Sequence, residues 1–474
     1  MFHKLKKYIF EIDYPLFKEV MILALPVIVS NISRVLMHIT DTAMVGHLGK
    51  NELVAVAMSG MIIWIAISVG IGFRIATQSV VSRRVGQDKL NECGVALRNG
   101  QFICLILMIP ISFFCYFYSD FIVSLFLSDK LVIPICSEYL SIVSFSVYFS
   151  VAAFVFQGFY TGIEKTSVLM YVTIISNIFN IYLNAGLIYG YSNIYSFFDF
   201  YDLGWLSILW SYYPFPELGV QGAAIATLLS SILMMIIYFI YLFNKNIRFK
   251  YQIFRFHLNF KMMKKQFFIG YPQSLSEIFL NCAFIIFYKI MGIIGTAQLA
   301  ATQVVFAIAH ASFLPAVGVG QACATLVGKY LGKNRVDKAS KSILEGVRGA
   351  FIIMGTMGVI FILFPQYIVP LFTKDLEVIN LGILILPWVG VIQFIDVFAI
   401  TLWFALSGAG DTKFTAYTAI IVSWGVFIPL SYLFGIKLQF GFWGPWIAFG
   451  LHLFIEALII IFRVNQGKWK HIKV

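Results

Sequence analysis

The chain is 474 residues long, 60% apolar and only 12% charged, with a mean hydropathy of +0.88. A soluble protein of this size needs far more charge to cover its surface, so the composition excludes a soluble globular domain and places most of the chain in lipid. The formal charge of +12 invites a nucleic-acid reading, but the Lys and Arg residues are dispersed over short segments between apolar stretches, and no nucleic-acid partner is expected.

Residues 1–17 are basic and amphipathic, and no cleavage-site pattern follows the first apolar run, which predicts an interfacial segment rather than a signal peptide. Roughly 20 mostly apolar residues cross a bilayer. Twelve such stretches follow, at 18–44, 52–80, 99–118, 134–158, 166–190, 218–243, 266–291, 297–327, 349–370, 378–407, 413–435 and 443–464. Between spans 5 and 6, residues 192–217 carry no Lys or Arg and many aromatic residues, as expected of a flap at the outer interface. The linker 244–265 is basic and amphipathic and is expected on the inner surface, and 465–474 forms a short tail. With the N-terminus in the cytoplasm, 27 Lys and Arg residues fall on inner segments and only 4 on outer ones. That asymmetry follows the positive-inside rule and places both termini in the cytoplasm. The six cysteines are scattered, without a CxxC pair or a metal-ligand pattern, and no cofactor is expected.

The chain repeats itself. An offset of 246 residues carries Pro26 onto Pro272, Gly46 onto Gly292, Gly49 onto Gly295, Gly86 onto Gly332 and Gly162 onto Gly408. The offset then drops to 222, carrying Gly219 onto Gly441, which assigns about 24 extra residues to the first half between its fifth and sixth helices. Six spans per half is even, so both halves enter the membrane from the same side. The predicted architecture is all-α: two parallel-repeat lobes of six helices, 18–243 and 266–464, around a central cleft.

Ionisable residues inside spans are expensive and need a reason. Arg74 and Lys289 lie toward span ends, where snorkelling accounts for them. Glu456, four residues after His452, reads as one half of a polar pair. Asp41 differs: it sits in the outer half of span 1, and a lone carboxylate in a dry pocket either keeps a cation or takes up a proton. Asn177, Asn180 and Asn184 share one face of span 5. Their amides serve as ion or substrate ligands, or equally as hydrogen-bonding glue between helices. Arg34, two turns before Asp41, is either the partner of Asp41 or Glu277, or a fixed charge that competes with a coupling ion and favours neutral or anionic substrates. Pro26 and Pro272 occupy equivalent places and predict kinks, static or gating.

The segments ALPVIVSNISRVLMHITDTAMVGHLGKNELVAVAM, SNIFNIYLNAGLIYG, GVQGAAIAT and LSGAGDTKFTAYTAII, in this order and spacing, resemble the multidrug and toxic compound extrusion (MATE) family over nearly the whole chain. The resemblance implies a plasma-membrane antiporter, in the inner membrane if bacterial, that expels amphipathic, usually cationic compounds by alternating access against inward Na⁺ or H⁺. It makes Asp41, in D-T-x-x-V-G, the coupling acid of the first lobe, and matches Thr227 to a hydroxyl ligand and Asp396 to an acid of span 10. Two departures stand out. Asn184 replaces an Asp that relatives often carry, and Glu277 lies three residues before the usual Glu position, which is Leu280 here. With one N-lobe carboxylate fewer, protons rank ahead of Na⁺, for which Asp41 and Asn180 would be the ligands. The acids rank Asp41, then Asp396, then Glu277. A monomer acting on small molecules within membrane lipid is expected. A flippase for lipid-linked saccharides is the nearer alternative, and an intramembrane transferase the remote one.

Overall fold

The computed structural model describes residues 12–127, 129–200, 204–212, 215–255, 257–472 and 474, apart from the side chains of 197, 198 and 200. Most of the N-terminal segment expected at 1–17 and part of the expected flap therefore lie outside the described residues. Among the described residues there are twelve apolar helices long enough to cross a membrane, counting one bent pair as a single span. The first six are α1 Tyr14–Gly46, α2 Lys50–Gly86, α3 Leu90–Phe117, α4 in two pieces, Val132–Ser144 and Ser146–Gly162, α5 Thr166–Phe200 and α6 Val220–Tyr241. The second six are α7 Phe260–Ile294, α8 Thr296–Gly332, α9 Val336–Leu363, α10 Leu376–Ala409, α11 Thr412–Lys437 and α12 Trp443–Gln466. The two pieces of α4 meet at 44°.

The internal repeat reappears in the backbone. The ends of α2 and α3 map onto those of α8 and α9 at the 246-residue offset. The left-handed residues map as well: Asp88 (φ 60°) onto Asn334 (φ 56°), Glu164 (φ 63°) onto Gly410 (φ 92°), and, at the smaller offset, Gly219 (φ 54°) onto Gly441 (φ 56°). Several helices run longer than the apolar stretches that predict them. Their polar first turns, such as Leu90–Arg98 and Val336–Arg348, continue the helix beyond the hydrocarbon. The predicted ninth span is displaced for this reason and ends at Leu363 rather than 370.

Two helices exchange partners along their length. The first half of α1 (Leu16, Val20, Leu23, Ala24, Ile28) is buried in an apolar cluster with α8, α9 and α10 of the second lobe. Its second half runs along α5 of the first lobe, joined by hydrogen bonds from Ser30 Oγ to Thr173 Oγ1 (2.8 Å), Asn177 Nδ2 to Ser33 Oγ (2.8 Å) and the Tyr189 hydroxyl to the Met44 carbonyl (2.6 Å). Helix α7 mirrors this. Met262 and Ile269 pack into the first lobe, and Gln266 donates to the Ala96 carbonyl (3.0 Å). Beyond that, Ala283, Phe287 and Met291 belong to an aromatic-rich cluster of the second lobe. Pro26 and Pro272 sit at these two changeovers. Each ring removes one backbone donor, leaving a point where the helix bends at low cost.

Contacts between the lobes concentrate at the end of the bundle that holds the chain termini. Gln78 Nε2 donates to the Gln321 carbonyl (2.8 Å) and Thr325 Oγ1 (2.9 Å), Ser79 Oγ to the Gly408 carbonyl (3.1 Å), and Arg83 to the carbonyls of Ala409 and Ile472 (both 3.1 Å). Lys329 pairs with Glu164 (2.6 Å) and Glu19 (3.0 Å), and Lys341 with Asp13 (3.1 Å). The Asp13 carboxyl is held below its ordinary value by Lys341, so this latch holds at neutral pH and is released only in acid. At the crossing of α2 and α8, a Cβ on Gly86 or Gly332 would fall 2.9 Å from the other's Cα, so only glycine lets these backbones touch. The last rungs toward the opposite end are Ser274 Oγ to the Val69 carbonyl (2.6 Å) and Asn31 Nδ2 to the Leu314 carbonyl (3.1 Å). Beyond them His38 on α1 and His310 on α8 are exposed, so the central cleft opens away from the termini.

Two other segments pack back on the first lobe. The linker lies against the first lobe: Arg98 donates to the Gln252 (2.9 Å) and Ile253 (2.6 Å) carbonyls, with Ile247 and Tyr251 buried beneath. The described part of the insertion folds back on α5, where Trp210 stacks on Tyr182 (5.3 Å) and donates to its carbonyl (2.9 Å). Trp205 and Tyr212 project outward, 70% and 86% exposed, as an aromatic fringe does at a membrane interface.

Candidate functional site

Asp41 sits in the C-terminal half of α1, where α1 lies along α5. Asn184 Nδ2 donates to Asp41 Oδ1 at 2.6 Å and to Asn180 Oδ1 at 3.1 Å. Asn180 and Asn184 are each 1% exposed, so this carboxylate–amide chain is enclosed by protein on the α5 side. A charge-assisted bond of this length is a strong interhelical tie in a dry setting. The Asn184 Oδ1 atom is buried and accepts no hydrogen bond among the described residues. Thr227 on α6 donates to its own helix, at the Ala223 carbonyl (3.0 Å), and its side chain lies against the Tyr139 hydroxyl. Tyr139, on the first piece of α4, is close enough to Asp41 to feel its charge. Sequence reasoning missed Tyr139, and nothing in the local sequence marks it. Asn177, by contrast, is engaged by Ser33 nearer the middle of the membrane, apart from the Asp41 group.

The second lobe does not repeat this site. The 246-residue offset carries Asp41, Asn180 and Asn184 onto Phe287, Val426 and Leu430. The space is filled there by Phe284, Phe287, Phe306, Phe427 and Phe449, with neighbouring ring centroids 5.0 to 6.5 Å apart. Asp396, 8% exposed on α10, lies elsewhere in the lobe, where Glu456 on α12 feels its charge. Glu456 also reaches His452 Nε2 at 3.7 Å, and His452 stacks on Phe427 (5.3 Å). The pair read from the sequence as His452 with Glu456 is thus a group of three with Asp396. The signal for the third member was its burial in a span; what placed it was packing between α10 and α12, which the sequence does not display.

The arginines correct two expectations. Arg34 forms no ion pair with Asp41 or Glu277 among the described residues. It is half-buried and faces Tyr238 on α6 and Arg74 on α2. Arg74 does not snorkel. It is 8% exposed, lies twelve residues before the end of a helix that runs to Gly86, stands over the Phe154 ring (5.9 Å) and feels Glu277 across the lobe boundary. Glu277 occupies the position equivalent to Asn31 in the repeat, and like Asn31 faces the other lobe. Lys289 is exposed near the end of α7, where snorkelling does account for it.

Comparison with known proteins matches this architecture throughout. The MatE family model fits the chain twice, over residues 26–185 and 272–433, starting at the two equivalent prolines. A "Probable multidrug resistance protein NorM" of Thermotoga maritima is 25% identical over 455 residues, covering 96% of this chain and 93% of that protein. A solved structure described as the "Outward-facing conformation of a multidrug resistance MATE family transporter of the MOP superfamily" aligns with a TM-score of 0.84 at 21% identity, covering 96% of this chain and 97% of the other. A Pyrococcus furiosus transporter, described with the words "Reverse polarity of binding pocket suggests different function", aligns with a TM-score of 0.83 at 20% identity over 96% of this chain and 97% of that one. Twelve apolar spans, a doubled lobe with a central cleft and a family match over both halves lead to one assignment: the chain belongs to the MatE family of membrane transporters, and is not an enzyme.

Proposed function

We propose that the protein is a multidrug-type efflux antiporter that exchanges amphipathic small molecules for protons, with Asp41 as the principal proton carrier. The observation that carries this reading is the single carboxylate of the Asp41–Asn184–Asn180 chain. A dehydrated Na⁺ needs several oxygen ligands and compensating negative charge in a low-dielectric site. Here Asn184 turns its amide NH₂, not its oxygen, toward Asp41. That arrangement suits a bare carboxylate. Protonation reverses the demand, because the new O–H needs an acceptor, and a flip of the Asn184 amide supplies its unpartnered Oδ1. The charge-assisted tie between α1 and α5 is then replaced by a weaker neutral hydrogen bond, which loosens the outer half of α1 beyond the Pro26 changeover and lets the cleft wall it forms rearrange. Proton and substrate therefore exclude one another through α1. Asp396, Glu456 and Glu277 are candidate secondary carriers, and Na⁺ held by Asp41 and Asn180 is the competing coupling scheme. The match over both halves with twelve spans favours efflux over flipping of lipid-linked saccharides. The test is a pH change in weakly buffered detergent solution on addition of a bound dye: the wild type releases protons, and the Asp41→Asn variant releases none.

Orientation follows from the basic end. We place the termini, the linker and the α8–α9 turn in the cytoplasm, with 18–243 and 266–464 as the rocking lobes. Exposed single cysteines at Lys250 and Lys333 are expected to react with an impermeant maleimide only from the cytoplasmic side, and one at Tyr212 only from outside. Outside labelling at position 250 contradicts the arrangement. Crosslinking Gly46→Cys to Gly292→Cys with a short bis-maleimide is expected to abolish transport, since these ends must separate and approach in each cycle; full activity in verified crosslinked protein contradicts lobe rocking.

A further inference from the structure

Two arginines near the cleft, Arg34 and Arg74, have no ion-pair partner among the described residues. Arg34 on α1 and Arg74 on α2 both lie close enough to Tyr238 to act on its hydroxyl, and Arg74 feels the charge of Arg34. Helical side chains lean toward the start of their helix. Helix α1 starts at the closed end and α2 at the open end, so Arg34 leans inward, Arg74 leans outward, and the two guanidiniums converge. Neither donates a hydrogen bond to any described residue. Arg74 is more than nine-tenths buried, and its Nε is fully enclosed without an acceptor. Glu277, the acid nearest to Arg74, stands outside ion-pair distance, and Asp41 is occupied by Asn184. One turn above Arg34, His38 faces His310 across the opening, and both add positive charge when protonated. The repeat makes the asymmetry plain, since positions 34 and 74 correspond to Leu280 and Gly320 in the second lobe.

A buried guanidinium without an acceptor is expensive, and its fork of donors matches the two oxygens of a carboxylate, sulfonate or phosphate. We propose that Arg34 and Arg74 form an anion-binding subsite at the floor of the cleft, and that the transported compounds are amphipathic anions or zwitterions whose acidic group docks there. This deepens the efflux reading and rests on it. Tyr238, Gln157 and Thr173 line the polar side of the subsite, and Phe154 lies beneath Arg74 as an apolar support. The site is accessible from the open end through Arg34, which is only half-buried. Arg34 is carried on α1, the helix that protonation of Asp41 loosens, so that movement of α1 draws one guanidinium away from the bound anion.

Equilibrium binding to purified protein separates this proposal from the coupling scheme, because it needs no gradient. The probes share one ring system: carboxyfluorescein, anionic, and rhodamine 6G, cationic, followed by fluorescence anisotropy in neutral detergent. Carboxyfluorescein is expected to bind at least tenfold more tightly, and to weaken as salt is raised. Arg34→Gln and Arg74→Gln are each expected to weaken it about tenfold or more, leaving rhodamine 6G unchanged or improved, with Arg34→Lys retaining part of the affinity. Should Arg74→Gln fail to fold, judged by size-exclusion profile, the half-exposed Arg34 variant carries the test alone. Tighter binding of rhodamine 6G to the wild type, or carboxyfluorescein binding unaffected by Arg34→Gln, overturns the proposal. Displacement of carboxyfluorescein by equimolar phosphatidylglycerol would assign the subsite to a lipid headgroup and overturns the substrate assignment. Loss of proton release with the dye preferences intact would strike the coupling scheme and leave the subsite standing.

Discussion

Asp41→Asn is expected to leave a folded, monodisperse protein that no longer concentrates or expels substrate. The substitution is close to isosteric, and Asn184 keeps a polar partner, so the α1–α5 seam survives through Ser30–Thr173, Ser33–Asn177 and Met44–Tyr189. What disappears is the one group in that seam able to alternate between charged and neutral. Two ligands linked through a protein are coupled by about 1–3 kcal/mol, a factor of roughly 5 to 150. The gradient-driven rate is expected to fall on the order of a hundredfold, with dye binding at neutral pH changed far less. Asn184→Asp acts in the other direction: a second carboxylate 2.6 Å from the first restores charge for a metal cation, and Na⁺ dependence is the expected gain. Counting accumulated dye in vesicles at fixed pH, with and without Na⁺, checks both variants.

Gly86→Leu is expected to force the closed end of the bundle apart. Helices α2 and α8 touch there backbone to backbone, and any side chain at 86 meets the Lys329 carbonyl and the Gly332 Cα. Overpacking of this kind costs about 1–3 kcal/mol when the neighbours must shift. The interface has an alternative to absorbing the strain, which is to open, so the same energy moves the closed-to-open ratio by a factor of roughly 5 to 150. Spin labels on Lys89→Cys and Lys333→Cys, both exposed and on opposite lobes beside this crossing, read the change as a distance distribution. The background lacks Cys282, the one described native thiol that is not buried. A shift from a short to a long population is the expected result, and an unchanged distribution contradicts the assignment of Gly86 and Gly332 to the closed gate. Gly332→Leu is expected to behave alike, because the crossing is symmetric about the repeat axis.

The architecture was legible because it is written along the chain. Apolar runs of membrane length mark the spans, and the constant 246-residue offset marks the lobes, down to the left-handed residues that close equivalent turns. Asp41 was legible for the same reason, as a lone acid in an apolar run with the polar face of α5 as its only rich source of partners. Contacts fixed by packing were not legible. Arg74 read as a terminal residue because the apolar run ends near 80, whereas the helix continues to Gly86, placing Arg74 about 18 Å from its end at 1.5 Å per residue. Arg34 left two readings open, an ion pair with Asp41 or Glu277 and a fixed charge near the cleft, because Asp41 lies two turns away on the same helix. The structure instead gives Asp41 to α5 and turns Arg34 toward α2 and α6. The grouping of Asp396 with Glu456 and His452 depends on which helices are neighbours in the second lobe, and no periodicity encodes that. The exchange of α1 and α7 between lobes also has no sequence signature beyond the two prolines at the changeover points.

Proteoliposomes holding the wild-type protein provide the most direct test of proton exchange at Asp41. A bound xanthene dye is followed by its fluorescence while a pH gradient and a Na⁺ gradient are imposed separately. Proton exchange predicts that dye moves against the inward flow of protons at zero Na⁺ gradient, that a Na⁺ gradient at constant pH drives nothing, and that Asp41→Asn abolishes the pH-driven movement. Movement driven by Na⁺ at constant pH, with no response to a pH gradient, would contradict it.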